Sequence, residues 1–165
     1  MTVKAGASIT IVSSGDPTNN VWIAPAGQMT VPAANGTTIT TANGTATSIT
    51  TPSVSGTYHV YVSDDAGNIS AASTESISVD DAAPTVNIIS ALSATGVISG
   101  TSDDNVVTVK VFTDSAHIDE ILGSGSVVSN ALTWTATSNA LDAGIYYVVV
   151  TDAVGNESEI QIMAS

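Results

Sequence analysis

Gly144–Ser158 reads GIYYVVVTDAVGNES, and Gly56–Ser70 reads GTYHVYVSDDAGNIS. The two stretches align without a gap at a constant offset of 88 residues, and Gly, Tyr, Val, Val, Asp, Gly, Asn and Ser recur at equivalent places. An ungapped internal period marks a duplicated structural unit. Each copy carries the same physical instruction. An aromatic and β-branched run makes a buried strand, an acidic turn follows, and Gly-Asn reverses the chain into the next strand.

With a length of 165 residues, the period predicts two domains, 1–81 and 82–165, each large enough for only a modest core. Aromatic residues make up 4% of the chain, so Val, Ile, Ala and Leu must build the cores. Cysteine is absent, which removes disulfide, zinc-thiolate and thiol chemistry. Fifteen acidic residues face two lysines, a formal charge of −13. Such a chain cannot neutralise phosphates, so nucleic acid is not an expected partner. It repels anionic membrane surfaces and attracts cations. No stretch is long enough to span a bilayer, so membrane insertion is not expected either. Charged residues are only 10% of the total. Thr, Ser, Asn and Gly therefore cover the surface, a mixture that suits the exposed strands of secreted β-proteins. The start, MTVKAGASIT, lacks the apolar core of a signal peptide. Met1 is read as an introduced start and the chain as an excerpt of something longer.

Around the repeat the chain falls into short apolar runs separated by turn formers. In the first half these are Ala7–Val12, with Ile9 and Ile11 on one side, and Val21–Ile23, stopped by Ala24-Pro25-Ala26-Gly27. Met29–Val31 is a candidate for another strand. Thr37–Thr41 lies between the hairpin dipeptides Asn35-Gly36 and Asn43-Gly44. Thr45–Thr51 follows with Ile49 inward, and Ser70–Val79 closes the unit with Ile77 and Val79 as core positions. Asp80-Asp81-Ala82-Ala83-Pro84 reads as the linker. In the second half the strands are Thr85–Ile89, Gly96–Gly100, Val106–Thr113, Leu132–Thr137, Gly144–Thr151 and Glu157–Met163. Val107, Val109 and Val111 oppose Lys110. Ala116–Leu122, AHIDEIL, is the one place where a helical turn is expected. About seven short strands per unit with turns between them is the sandwich pattern. The expected fold class is all-β: two tandem immunoglobulin-like β-sandwich domains in an extended arrangement, without the usual cysteines.

The run VSDDAGNIS, then a strand, then VDDAAPTV resembles the joint between tandem bacterial immunoglobulin-like domains of secreted adhesins and S-layer proteins. Trp22–Gly27, WIAPAG, ahead of GTYHVYVSDDAGN resembles modules of the same surface proteins. The resemblance implies a calcium-bound, rod-like spacer or adhesive stalk at the bacterial cell surface, with no catalytic activity. Pro32–Thr51 of the first domain has no counterpart in the second.

In such a sandwich the incoming linker, the loop after the second strand and the loop before the last strand share one end. Asp80, Asp81, Asp103, Asp104, Asn105, Asp152 and Asn156 are therefore expected to converge at the domain joint. Hard oxygen donors without His or Cys suit calcium, Ca2+. Two carboxylates ~5 Å apart repel by about 3 kcal/mol at an effective dielectric of about 20, which a cation relieves. In the first domain Asp16, with Asn19 and Asn20, and Asp64, Asp65 and Asn68 repeat the arrangement as a weaker set. The plain alternative is that all of these residues are turn formers.

No nucleophile–His–acid set emerges around His59 or His117, so the chain is not read as an enzyme. Trp22 and Trp134 are read as packing residues rather than sugar platforms. The expected function is a structural or adhesive module of a secreted or cell-surface protein. Its expected partners are neighbouring domains of the same parent chain, with lateral self-association or a surface glycan or protein as further contacts. The alternatives are a glycan- or protein-binding module and an accessory domain of a secreted enzyme.

Overall fold

The computed structural model describes residues 1–91, 96–103, 106–121, 133–137 and 142–164; of 89–91, 107 and 133–137 it describes the backbone alone. The described residues form strands and turns, with no helix. The chain divides into two compact units, Met1–Ala82 and Ala83–Ser165.

Unit 1 contains β1 (Thr2–Lys4), β2 (Ser8–Thr10), β3 (Asn20–Pro25), β4 (Thr40–Asn43), β5 (Ser48–Thr50), β6 (Gly56–Ser63) and β7 (Ile77–Asp80). They make a five-stranded sheet, β1-β7-β6-β3-β4, and a two-stranded sheet, β2-β5. Ile9 and Ile49 of the small sheet meet Ile23, Tyr58, Ile77 and Val79 of the large one in the core. Pairing is antiparallel except for β1, which runs parallel to β7. The single opening strand expected from Ala7–Val12 is therefore incomplete. Gly6, at φ 70°, takes a left-handed conformation that costs glycine nothing. It breaks the chain, sending residues 2–4 to one sheet and 8–10 to the other.

Two further expectations in unit 1 are corrected. Met29–Val31 forms no strand. Ile39, at the end of the connection that starts at Ala26, instead packs with Ile69 on buried Trp22, Ala24 and Tyr61. β3 is thus buried on both faces from Val21 to Ala24, and its pairing with β6 carries it on to the exposed Pro25. Nor is Ser70–Val79 one strand; only Ile77–Asp80 is. Ahead of it, serine hydroxyls take the place of ladder carbonyls. Ser70 Oγ and Ser73 Oγ accept from the N–H groups of Val62 and Val60, each at 3.0 Å. A serine-rich segment can satisfy an edge this way without adopting strand geometry.

Unit 2 contains β8 (Val86–Ala91), β9 (Val97–Ser102), β10 (Val106–Phe112), β11 (Thr133–Thr137), β12 (Gly144–Asp152) and β13 (Glu157–Ala164). The sheets are β10-β12-β13 and β11-β9-β8. Ile98, Val109, Val111, Val148, Val150 and Ile162 fill the space between them. Lys110 stands outward, 3.3 Å from Glu120. A bulge between Val106 and Thr108 shifts the register, so Val106 is buried as well as Val109 and Val111. The side chains of Val107 and Trp134 lie outside the described residues.

The helical turn expected at Ala116–Leu122 is absent from its described part. Asp114 takes the local N–H groups instead: its carboxylate accepts from Ala116, Ile118 and Asp119 at 2.9, 3.2 and 2.8 Å. An aspartate that binds the following backbone competes with helix formation.

The repeat also fixes the corner where each penultimate strand begins. Tyr58 OH donates to Val54 O at 2.8 Å, and Tyr146 OH donates to Asp142 O at 2.9 Å. This tyrosine corner is a hallmark of immunoglobulin-type sandwiches. The preceding glycine makes room for it: a Cβ on Gly56 would meet the Tyr58 ring at 3.2 Å. With their strand order, the corners make both units immunoglobulin-like β-sandwiches.

Candidate functional site: the acidic turns

The acidic turn after β12 is closed on itself. Asp152 is 2% exposed. Its Oδ1 accepts from the N–H groups of Val154, Gly155 and Asn156 at 2.9, 2.7 and 2.9 Å. Its Oδ2 accepts from Asn156 Nδ2 at 2.9 Å. Gly155, at φ 93°, supplies the left-handed residue the reversal needs. The turn after β6 repeats the design on the surface. Asp64 Oδ1 accepts from Asn68 N at 2.8 Å, Oδ2 accepts from Asn68 Nδ2 at 2.7 Å, and Gly67 stands at φ 85°. These bonds, the Asn68 side chain first, hold the Asp64 carboxyl below the ordinary aspartate range.

The remaining candidates also bind their own neighbourhoods. Asp103 Oδ1 accepts from Thr85 N at 2.6 Å, tying the start of β8 to the end of β9. The Thr85 side chain, then its backbone, lowers the Asp103 pKa. Asp16 accepts from Thr18 N and Oγ1 at 2.9 and 2.8 Å, and those bonds lower its pKa in that order. Asp80 Oδ1 accepts from Ala82 N at 3.0 Å. Asp81 accepts from the Ser55 hydroxyl, and its N–H donates back to Ser55 Oγ at 2.8 Å. Asp65 is exposed. Asp104 and Asn105 lie outside the described residues.

The structure thus brings Asp152 together with Asn156, and Asp64 with Asn68. Within either unit, no three His, Cys, Asp or Glu side chains among the described residues gather as metal ligands. Calcium takes six to eight oxygens. Asp152 Oδ1 already carries three N–H donors, so this turn does not fit a cation unless it opens.

His117 Nε2 lies 2.6 Å from the carboxylate of Glu159, a residue of β13. Its ring is 4.9 Å from that of Phe112. His59 Nδ1 lies 2.9 Å from Ser73 O. Asp114, unnoticed in the sequence, organises its turn as Asp152 does. The signal was an Asp-Ser-Ala step directly after a strand. Trp22 is fully buried and stacks on Tyr61, with centroids 5.9 Å apart and planes 12° apart, so it is a packing residue.

No protein-family model and no curated protein matches the sequence. Among solved structures, the chain is similar to the fibronectin(III)-like modules of Clostridium thermocellum CbhA, with 16% identity and a TM-score of 0.37, covering 99% of this chain and 87% of that one. It is similar to Dpr2 Ig1-Ig2 in the crystal structure with DIP-Theta Ig1-Ig3, with 16% identity and a TM-score of 0.35, covering 99% of this chain and 60% of that one. It is also similar to SGBP-B of the Bacteroides ovatus mixed-linkage glucan utilization locus, in complex with a mixed-linkage heptasaccharide. There the identity is 15% and the TM-score 0.36, over 99% of this chain and 43% of that one. This chain thus spans less than two thirds of the latter two. At such scores none of these likenesses bears on what this chain does. The fold rests on its strand order and its two tyrosine corners.

Proposed function

We propose that the chain is a pair of structural, adhesive modules of a secreted or bacterial cell-surface protein of the adhesin or S-layer kind. Each unit serves as a link in an array of neighbouring domains. The observation that carries this reading is the parallel pairing of the first strand of unit 1 with its last, Thr2 opposite Ser78 and Lys4 opposite Asp80. Parallel first and last strands place the incoming and outgoing chain at opposite ends of the unit. Tension along the chain then loads their hydrogen bonds together, in shear, rather than peeling them one at a time. The finer reading adds calcium on the exposed carboxylates, with Asp16, Asp65, Asp81 and Asp103 as the ligands to test. A formal charge of −13 favours divalent counterions in general.

Force spectroscopy on the full chain, tethered at both ends, tests the structural reading. Val3→Pro removes a donor from the β1–β7 ladder. The variant's unit 1 is expected to open at lower force while unit 2 is unchanged. Identical opening forces in parent and variant would refute the mechanical role.

A further inference from the structure

The second sheet of unit 1 is one strand short of its counterpart. In unit 2 it runs β11-β9-β8; in unit 1 it consists, among the described residues, of β5 and β2 alone, because the first strand crosses over to β7. Ala7 O accepts from Thr51 N, and Ile11 N donates to Thr47 O, at 2.8 and 3.0 Å. The alternation of an antiparallel ladder then turns the N–H and C=O groups of Ser8 and Thr10 away from β5. No backbone group among the described residues bonds to them on that side. Beside this edge a groove of about 270 Å³ opens among Met1, Ile9, Ile11, Val60 and Ile77, with the exposed Glu75 in its wall. Unit 2 shows what fits such a place. There β8 pairs antiparallel with β9, and its Val86 and Ile88, two residues apart, pack on the core.

We infer that unit 1 accepts an extended strand of another polypeptide at the β2 edge, antiparallel to β2, with alternate apolar side chains in the groove and a lysine or arginine toward Glu75. Main-chain bonds to Ser8 and Thr10 supply affinity, and the groove selects side chains at every second position. Charge argues against a second copy as the occupant, since each chain carries −13 with two lysines. The same charge favours a basic strand.

The probe is a synthetic peptide with the sequence of residues 85–91, TVNIISA, flanked by a lysine at each end. Titrated into the full chain, it is expected to bind saturably and to slow amide exchange at Ser8 and Thr10 at least tenfold. A peptide carrying Val86→Ser and Ile88→Ser is expected to bind at least tenfold more weakly. Thr10→Pro in the protein removes only an outward N–H, which an edge strand tolerates, and should abolish binding with the melting curve retained. Glu75→Lys, on the surface, should weaken binding about threefold. Unchanged Ser8 and Thr10 exchange at saturating peptide would overturn the inference. So would equal binding by Thr10→Pro or by the serine peptide. Sedimentation showing a dimer that already protects these amides would make a second copy the occupant and overturn it too.

Discussion

Asn156 donates its side-chain amide to Asp152 Oδ2 at 2.9 Å, and 88 residues earlier Asn68 does the same to Asp64 at 2.7 Å. The duplicated sequence thus builds one turn twice. The difference is solvent: the second turn is buried and the first is exposed.

That difference predicts unequal costs. Asp152→Ala removes the side-chain oxygen that accepts from three backbone N–H groups of unit 2, and should destabilise it by about 2–4 kcal/mol. Asp64→Ala should cost unit 1 clearly less, because water replaces the carboxylate of an exposed turn. Chemical denaturation followed by residue-resolved probes in each unit measures both. Equal costs would show that burial is not what sets them.

Acid should loosen the protein in a defined window. Asp64, Asp103 and Asp114 all sit below the ordinary aspartate range. The largest causes are the Asn68 side chain for Asp64, the Thr85 side chain for Asp103 and the Asp119 backbone for Asp114. A depressed folded pKa means the unfolded chain binds protons first. The stabilisation is complete above the unfolded value of about 3.9 and is lost as pH falls through the folded values. The thermal midpoint is expected to hold between about pH 7 and 5 and to fall below about pH 4. Asp114→Ala should show a shallower acid limb, and an unaltered limb would exclude Asp114 from the effect.

Trp22 offers a test of the second apolar cluster in unit 1. It is fully buried, and its Nε1 has no acceptor among the described residues. Trp22→Ala should cost about 3–5 kcal/mol, as large aromatic truncations do. Trp22→Phe loses volume but also removes the unsatisfied N–H, so it should cost about 1–2 kcal/mol. A Phe variant as damaged as the Ala variant would point to a bound acceptor on Nε1.

Calcium should raise the thermal midpoint above that in EGTA at matched ionic strength, following RT ln(1 + [L]/Kd). Asp81→Asn or Asp103→Asn should reduce the rise, and Asp152→Asn should leave it in place. An equal rise with sodium chloride would reduce the effect to screening of the −13 charge.

The β6 and β12 strands, the glycine in each turn and the inward Ile9 and Ile49 were legible because each follows from local pattern. Period-two alternation and Gly-Asn chemistry need only a few neighbouring residues. The all-β, immunoglobulin-like class follows from summing such patterns. The helical turn at Ala116–Leu122 failed for a local reason, the grip of Asp114 on the backbone that follows it, but three failures in unit 1 had nonlocal causes. Gly6 splits the first strand because two sheets compete for it. Met29–Val31 forms no strand, and its segment meets the sheet through Ile39, which packs against the Trp22 cluster of β3. Ser70–Glu75 looks like a strand until its hydroxyls find the β6 edge.

For the acidic residues, the sequence by itself determined that oxygen-rich turns would follow the penultimate strands, since Asp-x-x-Gly-Asn can close on its own backbone. Only the tertiary structure decided that Asp152 would be buried with both carboxylate oxygens engaged, and that β2 would pair on one side only among the described residues. Burial and strand pairing depend on which distant segments pack best on a shared surface, and no local pattern encodes that competition.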